Sequence, residues 1–423
     1  MSKEKALKSK SFCSALWTSV YQSPDGMVSP CCVFKTPIGN VNDDSLKDIF
    51  SSPYIKKLRK KMLDGEHISQ CEWCNSIEET TGDESSRTFF NKNFTDYIDW
   101  ESDESKLYHW DLRLSNLCTF KCRMCSHGLS SEWYDDWKKI NKGYNEPRIL
   151  KIDDKSKFYE ELEQNYKYVK SIYFAGGEPF INEYHFKILQ DLIDKGLSKE
   201  VALYVNTNLS TIHYKKRHIL EYYKEFEKVE FGFSIDGSYK LGEYIRKGLD
   251  YKKWKENVKQ FADYVKENNS KKNKKYLFQF AYGITNYENI FDFINDLIDS
   301  NLVNEYCTFN FQAIQYPEEQ SIKALPVEIR EKYKNNLNEF LLSIKPKINY
   351  DVFYNLKHQL NLIELHSKNE IFDERLLKLF YKKQKSLDEI RGENIFEIIS
   401  DYRIYITNDN VSKIDTPNNE KLI

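Results

Sequence analysis

The stretch Leu112-Arg-Leu-Ser-Asn-Leu-Cys-Thr-Phe-Lys-Cys-Arg-Met-Cys-Ser-His127 decides both the fold and the chemistry of this chain. Its cysteines, Cys118, Cys122 and Cys125, form a C-x3-C-x2-C motif directly after a run that is typical of a strand. Three thiolates can hold three irons of a [4Fe-4S] cube and leave the fourth iron without a protein ligand. Such an open iron is a reactive position, whereas a cluster with four cysteine ligands is usually an electron carrier.

His127 leaves a second interpretation open, because three thiolates and one imidazole also make a tetrahedral zinc site. A second motif favours the cluster. The run Ser171-Ile-Tyr-Phe-Ala-Gly-Gly-Glu-Pro179 is typical of a buried parallel strand that ends in a tight turn at the carboxyl edge of a sheet. Glycines at such a turn let the backbone approach a ligand closely, although a lone motif of this kind would indicate only an ordinary strand-to-helix turn.

Together the two motifs resemble the radical S-adenosylmethionine (SAM) superfamily, in which a cysteine triplet is followed by GGEP after the next strand. The resemblance implies that the cysteine triplet binds a [4Fe-4S] cluster and that SAM occupies its open iron. It also implies that Gly176, Gly177, Glu178 and Pro179 cradle the amino end of SAM. In this superfamily, electron transfer into the sulfonium releases a 5′-deoxyadenosyl radical. The cofactors carry that chemistry, and the protein orients them and excludes water.

Two further strands end in polar residues that extend the resemblance. The run 201–208 ends in Asn206, Thr207 and Asn208, and Leu209 stands where the family often has a glycine. Thr207 and Asn208 are the candidate SAM contacts at this strand end.

The run 229–237 ends in Ser234, Asp236 and Gly237, and Arg246 follows. The resemblance implies that Ser234, Asp236 and Arg246 help to bind SAM, the serine and the arginine at its ribose and carboxylate. A guanidinium suits a carboxylate because it offers a planar pair of donors. The alternative is a strand-end turn followed by a surface arginine.

The order of elements after residue 107 predicts an α/β fold. Candidate strands lie near 108–115, 170–175, 200–206, 228–235, 276–284 and 305–313, and helical patterns separate them. Such alternation implies parallel pairing. Eight units would close a complete barrel, and six suit the partial (β/α)6 TIM-like barrel of the radical SAM core, at residues 108–316.

The region before this core has its own cysteine pattern, with Cys13, the pair Cys31-Cys32, and Cys71-x2-Cys74. The residues Pro24-Asp-Gly26 favour a tight turn, so the residues after them are predicted to form the second strand of a hairpin. The pattern resembles the SPASM/twitch auxiliary-cluster domain, which usually follows the barrel and here precedes it.

The resemblance implies a second, auxiliary [4Fe-4S] cluster with Cys13, Cys31, Cys71 and Cys74 as ligands. Cys32 is an alternative to Cys31, because adjacent thiols cannot be separated from sequence alone. A zinc site with four cysteine ligands is the other interpretation. Cys307, in an apolar strand, is predicted to be an inert core thiol.

These patterns divide the chain into an auxiliary domain at 1–95, a linker at 96–107, the core at 108–316 and a helical carboxyl-terminal extension at 317–423. Helical patterns in the extension cover 327–342, 354–365 and 374–399. Within the last of them, Leu387-Asp-Glu-Ile-Arg-Gly392 resembles a stretch that recurs near the carboxyl end of twitch-type radical SAM proteins. The sequence assigns this stretch no mechanistic role.

Composition excludes several other classes. Lysine and arginine number 63 against 65 acidic residues, so no basic field indicates a nucleic-acid partner. The lysine-rich amino terminus has no apolar core and is not typical of a signal peptide. No stretch approaches the roughly 18 apolar residues that a membrane span needs. Nine cysteines without a secretory signal indicate a reducing, cytoplasmic environment and metal ligation.

The sequence therefore predicts a radical SAM enzyme that cleaves SAM reductively and abstracts a hydrogen atom from its substrate. A peptide or protein is the favoured substrate, because auxiliary-cluster domains are common in enzymes that modify peptides. A small-molecule substrate (a sugar, nucleoside or cofactor precursor) and a non-catalytic iron-sulfur or zinc-stabilised binding module are the alternatives. A reductant protein such as flavodoxin or ferredoxin is the expected partner.

Overall fold

The computed structural model describes residues 3–80, 85–102, 104–269 and 273–398. These residues divide into two compact units. The first unit contains the described residues up to 117 together with 149–205 and 221–229. The second contains 118–148, 206–220 and the described residues from 230 onward. Each unit is therefore built from three separate stretches of the chain.

The strands of the described residues are numbered here in chain order. They are β1 (Ser19–Gln22), β2 (Met27–Ser29), β3 (Gly39–Asn40), β4 (His109–Leu112), β5 (Lys121–Cys122), β6 (Ser171–Phe174), β7 (Ala202–Thr207), β8 (His213–Tyr214), β9 (Arg217–His218), β10 (Lys228–Ser234), β11 (Arg246–Lys247), β12 (Lys274–Tyr282) and β13 (Cys307–Ala313). The six strands that the sequence predicts after residue 107 are β4, β6, β7, β10, β12 and β13.

Helices follow many of these strands and make up most of the described chain after residue 317. They are α1 (Lys3–Lys8), α2 (Ala15–Thr18), α3 (Leu46–Ser51), α4 (Pro53–Asp64), α5 (Glu72–Thr80), α6 (Ser86–Phe94), α7 (Tyr134–Ile140), α8 (Phe158–Asn165), α9 (Glu183–Asp194), α10 (Leu220–Tyr223), α11 (Tyr239–Ile245), α12 (Tyr251–Glu267), α13 (Ile290–Asp299), α14 (Val327–Ile344), α15 (Tyr350–Asn369), α16 (Glu374–Arg391) and α17 (Ile395–Ile398). No helix within the described ranges is long and apolar enough to cross a membrane.

The first unit contains strands in the order β7-β6-β4-β1-β2-β3. The pairs β4–β6 and β6–β7 are parallel, which confirms an α/β fold with parallel central strands. In β4, Trp110 and Leu112 are fully buried, while Asp111 lies on the other face, opposite Tyr21 of β1 and Tyr173 of β6. Because side chains alternate along a strand, one face of this sheet is apolar and the other carries polar groups.

The amino-terminal strand β1 belongs to the same sheet as β4. The two pair in parallel, with Ser19 opposite His109 and Gln22 opposite Leu112. Strand β2 then pairs antiparallel with β1, and Gly26 takes the positive φ of +86° in the turn between them. The predicted hairpin is thus confirmed, whereas the pairing of β1 with β4 joins residues ninety positions apart and was not predicted.

In the second unit the strand order is β13-β12-β10, and β12 and β13 pair in parallel. Helix α15 covers the outer edge of β13. The side chains of Asn355 and Gln359 accept hydrogen bonds from the backbone N–H groups of Phe309 and Phe311, at 2.7 and 2.9 Å. These are donors that a further strand would otherwise use. The alternation of strands and helices therefore ends at β13.

The carboxyl-terminal helices follow the predicted pattern with one difference. The sequence predicts a single helix over 374–399, but α16 ends at Arg391 because Gly392 adopts the left-handed conformation (φ +65°). The N–H of Gly392 donates to the carbonyl of Asp388. Glycine is the residue that most readily ends a helix in this way. Residues 399–423 lie outside the described part of the chain.

Replacing both Asn355 and Gln359 with alanine should lower the free energy of unfolding. Each substitution leaves a buried backbone N–H on β13 without its acceptor, which costs about 1–3 kcal/mol. Chemical denaturation measures the change. Asn338→Ala, an exposed position on α14, is the control and should change the unfolding free energy by less than about 0.5 kcal/mol. An equal effect of the control and the double variant would contradict this account of the β13 edge.

Candidate functional site

The cysteine loop, residues 118–127, is held by backbone contacts within the second unit. Cys122 lies in β5, opposite Arg246 of β11 in an antiparallel pair. The N–H of Arg123 donates to the carbonyl of Ile245 at 2.8 Å, and the indole of Trp133 donates to the carbonyl of Cys122, also at 2.8 Å. These bonds fix the backbone from which the three half-buried thiols project.

Nitrogen donors lie near two sulfurs of this loop, those of Cys118 and Cys122. The N–H of Phe120 and the amide of Asn208 lie 3.5 and 3.7 Å from the Cys118 sulfur. A guanidinium nitrogen of Arg246 lies 3.7 Å from the Cys122 sulfur. Burial raises the pKa of the Cys122 thiol, and the charge of Arg246 opposes that rise. Hydrogen bonds to sulfur are among the features that tune iron-sulfur clusters, so this donor set fits a thiolate-bound cluster.

His127 is engaged elsewhere. One ring nitrogen lies 2.7 Å from the hydroxyl of Tyr144, and the other lies 2.9 Å from the carbonyl of Arg148. A zinc ion needs its ligands within about 2.0–2.3 Å of one point. Among the described residues, no three His, Cys, Asp or Glu side chains are grouped to hold a single metal ion. The donors of this loop therefore fit a cluster better than a zinc ion bound by His127.

Arg246 is paired with a buried carboxylate. Its Nε lies 2.6 Å from Asp236 Oδ2, and the two side chains are 12% and 0% exposed. The other Asp236 oxygen accepts the N–H of Ala281 at 2.8 Å. Burial works to lower the pKa of Arg246, but the adjacent Asp236 and Cys122 raise it further, so the guanidinium stays charged. Arg246 is thus a largely buried side chain beside the cysteine loop and not a surface arginine. Ser234 lies half-buried at the end of β10.

Leu209 stands where the family often has a glycine, and it adopts the backbone conformation of that glycine. It adopts a positive φ of +54°, a conformation that glycine takes at no steric cost. Its N–H donates to the hydroxyl of Thr207, and its carbonyl accepts from the amide of Asn257, both at 2.9 Å. These bonds hold the strained residue in place. The side-chain amide of Asn208, the residue before Leu209, also lies 3.1 Å from the hydroxyl of Thr119.

The GGEP turn lies in the first unit, against the residue that precedes the cysteine loop. Gly176 and Gly177 have φ of +71° and +53°. A side chain on Gly177 would come within 2.3 Å of the Leu117 carbonyl, and the N–H of Glu178 donates to that carbonyl at 2.7 Å. The Glu178 carboxylate is buried and accepts the N–H of Phe180 at 2.9 Å. Leu117 directly precedes Cys118 in the chain.

Four cysteines of the amino-terminal region share one environment in the first unit. Cys13 is buried in a cluster of hydrophobic side chains, and Cys31 and Cys71 pack against that cluster. Burial raises the pKa of Cys13 to about 12, and the nearby thiols of Cys71 and Cys74 add to the rise. The electrostatic neighbours of Cys31 include Cys13 and Cys74.

Cys32 faces away from that group. Cys32 is exposed, and its charged neighbours are Asp111 and Arg113. The structure thus places Cys31, and not Cys32, with the other three thiols.

Polar groups beside these four thiols suit an anionic cluster. Arg87 interacts electrostatically with Cys13 and Cys74 while its guanidinium pairs with Glu78. The hydroxyl of Ser14 is fully buried and has no hydrogen-bond partner among the described residues. A buried donor without a partner is costly unless a bound group satisfies it. The residues therefore fit a cysteine-ligated cluster.

Arg123, inside the cysteine motif, is a residue that sequence reasoning missed. Its buried side chain contacts Gln384 and Asp388 of α16, more than 260 residues further along the chain. The only available signal was the stretch 387–392, whose role the sequence does not show. Cys307 is buried in β13, and burial raises the pKa of its thiol far above the usual range, as expected of an inert core residue.

Comparisons with known families agree with this geometry. Residues 13–75 match SPASM, the iron-sulfur cluster-binding domain, and residues 112–277 match the Radical SAM superfamily. The predicted family and the position of a SPASM domain ahead of the radical SAM domain are confirmed. A radical SAM domain implies SAM and a [4Fe-4S] cluster, and a SPASM domain implies auxiliary iron-sulfur binding. No curated protein matches the sequence.

Solved structures give weaker likenesses. Streptococcus suis SuiB bound to S-adenosylmethionine is 13% identical with a TM-score of 0.36, over 71% of this chain and 61% of that one. SuiB bound to its precursor peptide SuiA is 14% identical with a TM-score of 0.36, over 68% and 60%. The match thus spans about 60% of the length of SuiB, and such TM-scores are too low to indicate a shared fold.

Replacing Cys118, Cys122 and Cys125 together with alanine should remove about half of the bound iron. Two [4Fe-4S] clusters bind about eight irons, and the auxiliary cysteines need none of these three thiols. Iron and zinc analysis of anaerobically reconstituted protein measures the result. Cys307→Ala is the matched control and should keep all the iron. Near-zero iron with stoichiometric zinc in the wild-type protein would overturn both cluster assignments.

Replacing Arg246 with alanine should weaken SAM binding by about tenfold or more, because a charge-assisted contact is lost. It also leaves Asp236 as an unpaired buried charge, which costs about 3–5 kcal/mol of stability. The double variant Arg246→Ala/Asp236→Asn should recover stability without recovering SAM affinity. Equilibrium binding and thermal unfolding separate the two effects. Arg375→Gln, an exposed arginine on α16, is the control. Wild-type affinity in the double variant would remove Arg246 from the SAM site.

Proposed function

We propose that this chain, a radical SAM enzyme with an amino-terminal SPASM domain, cleaves S-adenosylmethionine reductively and abstracts a hydrogen atom from a peptide or protein substrate. The cysteine loop carries the proposal, because nitrogen donors lie within 3.7 Å of the sulfurs of Cys118 and Cys122 and its histidine is engaged elsewhere. The cluster and SAM, when bound, supply the radical chemistry. A flavodoxin or ferredoxin would supply the electron.

The residues around the loop have separable roles in this proposal. Cys118, Cys122 and Cys125 bind the cluster. Arg246 keeps a positive charge beside it for the SAM carboxylate, and Asp236 holds that guanidinium in place. Burial of the pair excludes water and strengthens its electrostatic effect.

The remaining predicted contacts surround SAM. Gly176 to Pro179 cradle its amino group, with the tight backbone approach that two left-handed glycines allow. Asn208 and Ser234, each at the carboxyl end of a strand, contact its polar groups. We also propose that the strands curve as the partial (β/α)6 barrel of the family, since that architecture gathers strand ends around one site.

The polar face of the first unit supports a substrate rich in hydrogen-bonding groups. Arg113 pairs with Asp111 at 2.9 Å, and its guanidinium lies over the rings of Tyr21 and Tyr173, at 5.7 and 5.2 Å. Peptide groups offer the donors and acceptors that such a surface binds. The SPASM domain adds to this choice, because auxiliary-cluster domains are common in peptide-modifying members of the family.

The test is anaerobic reconstitution with iron and sulfide, followed by a 5′-deoxyadenosine assay. Reduced wild-type protein should release 5′-deoxyadenosine slowly, and a peptide substrate should accelerate the release. Peptides encoded beside the gene are the first probes. The triple cysteine variant is the control and should release none. Acceleration by a sugar or nucleoside and by no peptide would overturn the peptide proposal, and no release at all would overturn the enzyme proposal.

Replacing Cys71 and Cys74 together with alanine should abolish substrate turnover while SAM cleavage continues. We propose that these thiols complete a fully cysteine-ligated auxiliary cluster, which cannot bind SAM and serves to relay an electron or position the substrate. Substrate product and 5′-deoxyadenosine are measured in the same reaction. Full turnover in this variant would make the auxiliary cluster dispensable. Loss of SAM cleavage with an intact core cluster would show that the electron enters through the auxiliary domain.

A further inference from the structure

Arg123 attaches the cysteine loop to helix α16. Its side chain is 2% exposed, and its two terminal nitrogens donate to Gln384 at 2.6 Å and to Asp388 at 2.5 Å. The guanidinium lies 3.6 Å from the centre of the Tyr244 ring, and its Nε donates to the Tyr244 carbonyl at 3.1 Å. The carbonyl of Arg123 accepts the amide of Gln320 at 2.8 Å. The backbone between Cys122 and Cys125 is thereby held on both sides.

Arg391 makes a second attachment from the last turn of the same helix. Its side chain is 0% exposed, its Nε donates to Asp136 at 2.8 Å, and its guanidinium lies 4.5 Å from the Trp133 ring. Trp133 in turn donates to the carbonyl of Cys122. Within the described chain, the two terminal nitrogens of Arg391 have no hydrogen-bond partner. A fully buried guanidinium with free donors near a cysteine loop is a candidate to face a bound anionic group.

The charged side chains in the ion pairs around Arg123 and Arg391 are unequal in number. The ion pairs contain three carboxylates, Asp136, Asp388 and Glu393, and four cations, Lys121, Arg123, Lys247 and Arg391. These ion pairs therefore contain one cation more than they contain carboxylates. A cluster bound by three thiolates is negative, and more so after reduction, so an excess cation favours its reduced state.

Helix α16 provides both contacts, through Asp388 and Arg391. Asp388 also accepts the hydroxyl of Tyr244 at 3.0 Å and the N–H of Ile395 at 2.7 Å, across the turn that Gly392 makes. Asp388 and Arg391, three residues apart on one helix, lie on neighbouring parts of its surface. The stretch 387–392 thus brings an anion to Arg123 and a cation to Trp133.

We propose that Asp388 and Arg391 are positioning residues of the SAM-binding cluster: they hold the cysteine loop in its ligating conformation and set the charge beside it. The inference rests on the proposed function for its cofactor, but the contacts that carry it lie in the protein alone. A part of the chain far from the cysteine motif is thereby included in the cofactor site.

The first test uses iron-free protein, so that it does not depend on the proposed function. Hydrogen–deuterium exchange of residues 118–127 should become about tenfold faster in Asp388→Asn and Arg391→Gln, because local opening of the loop costs less free energy. Arg330→Gln is the matched control: that buried arginine donates to the carbonyls of Ser367, in α15, and of Glu370, directly after α15. It should leave exchange at 118–127 unchanged. Equal exchange in all three variants would overturn the positioning role, and thermal unfolding identifies any variant that fails to fold.

The second test uses reconstituted protein and electron paramagnetic resonance. Arg391→Gln should shift the midpoint potential of the SAM-binding cluster to a more negative value, and Arg391→Lys should restore most of the shift because it keeps the charge. An unchanged potential in Arg391→Gln with intact iron would overturn the charge role. A wild-type protein that assembles no SAM-binding cluster would refute the proposed function, while the exchange experiment would still decide whether α16 holds the loop.

Discussion

The burial of cationic side chains beside three thiols is the constraint on which the cysteine loop depends. A guanidinium removed from water is costly unless a carboxylate and further hydrogen bonds compensate it. Arg246 has Asp236 for this purpose, and Arg123 has Asp388, Glu393 and the Tyr244 ring. The carboxylates come from segments far apart in the chain, so the loop acquires its shape only when those segments are in place.

The sequence was sufficient to identify the short motifs and the strands that precede them. The cysteine triplet, GGEP and the strands that lead to them are local patterns, because hydrophobic periodicity and turn chemistry operate within a few residues. The sequence was insufficient to predict contacts between residues that lie far apart in the chain. The contact of Arg123 with Asp388 spans 265 residues, and the pairing of β1 with β4 spans 90. Neither leaves a periodic signal, since both depend on which segments the completed fold brings together.

Adjacent residues can also differ in ways that only a backbone reveals. Cys31 and Cys32 are indistinguishable as letters, yet Cys31 faces the other thiols and Cys32 faces Asp111. Leu209 is a similar case, because its side chain disfavours the left-handed conformation that Thr207 and Asn257 stabilise. A residue that departs from a family pattern can thus keep the family's backbone when its neighbours supply the missing hydrogen bonds.

The parallel pairing of β1 with β4 has a consequence for truncated forms of the protein. The auxiliary cysteines Cys31, Cys71 and Cys74 all lie in the connection between these two strands. That region is therefore a long crossover within one sheet and not a module placed ahead of it. During synthesis β1 is made before β4 and cannot pair with it until the intervening residues have been synthesised. Pairing then carries the entropic cost of closing that long connection. A shortened gene that starts after the last auxiliary cysteine would expose a bare flank of β4, a surface prone to aggregation.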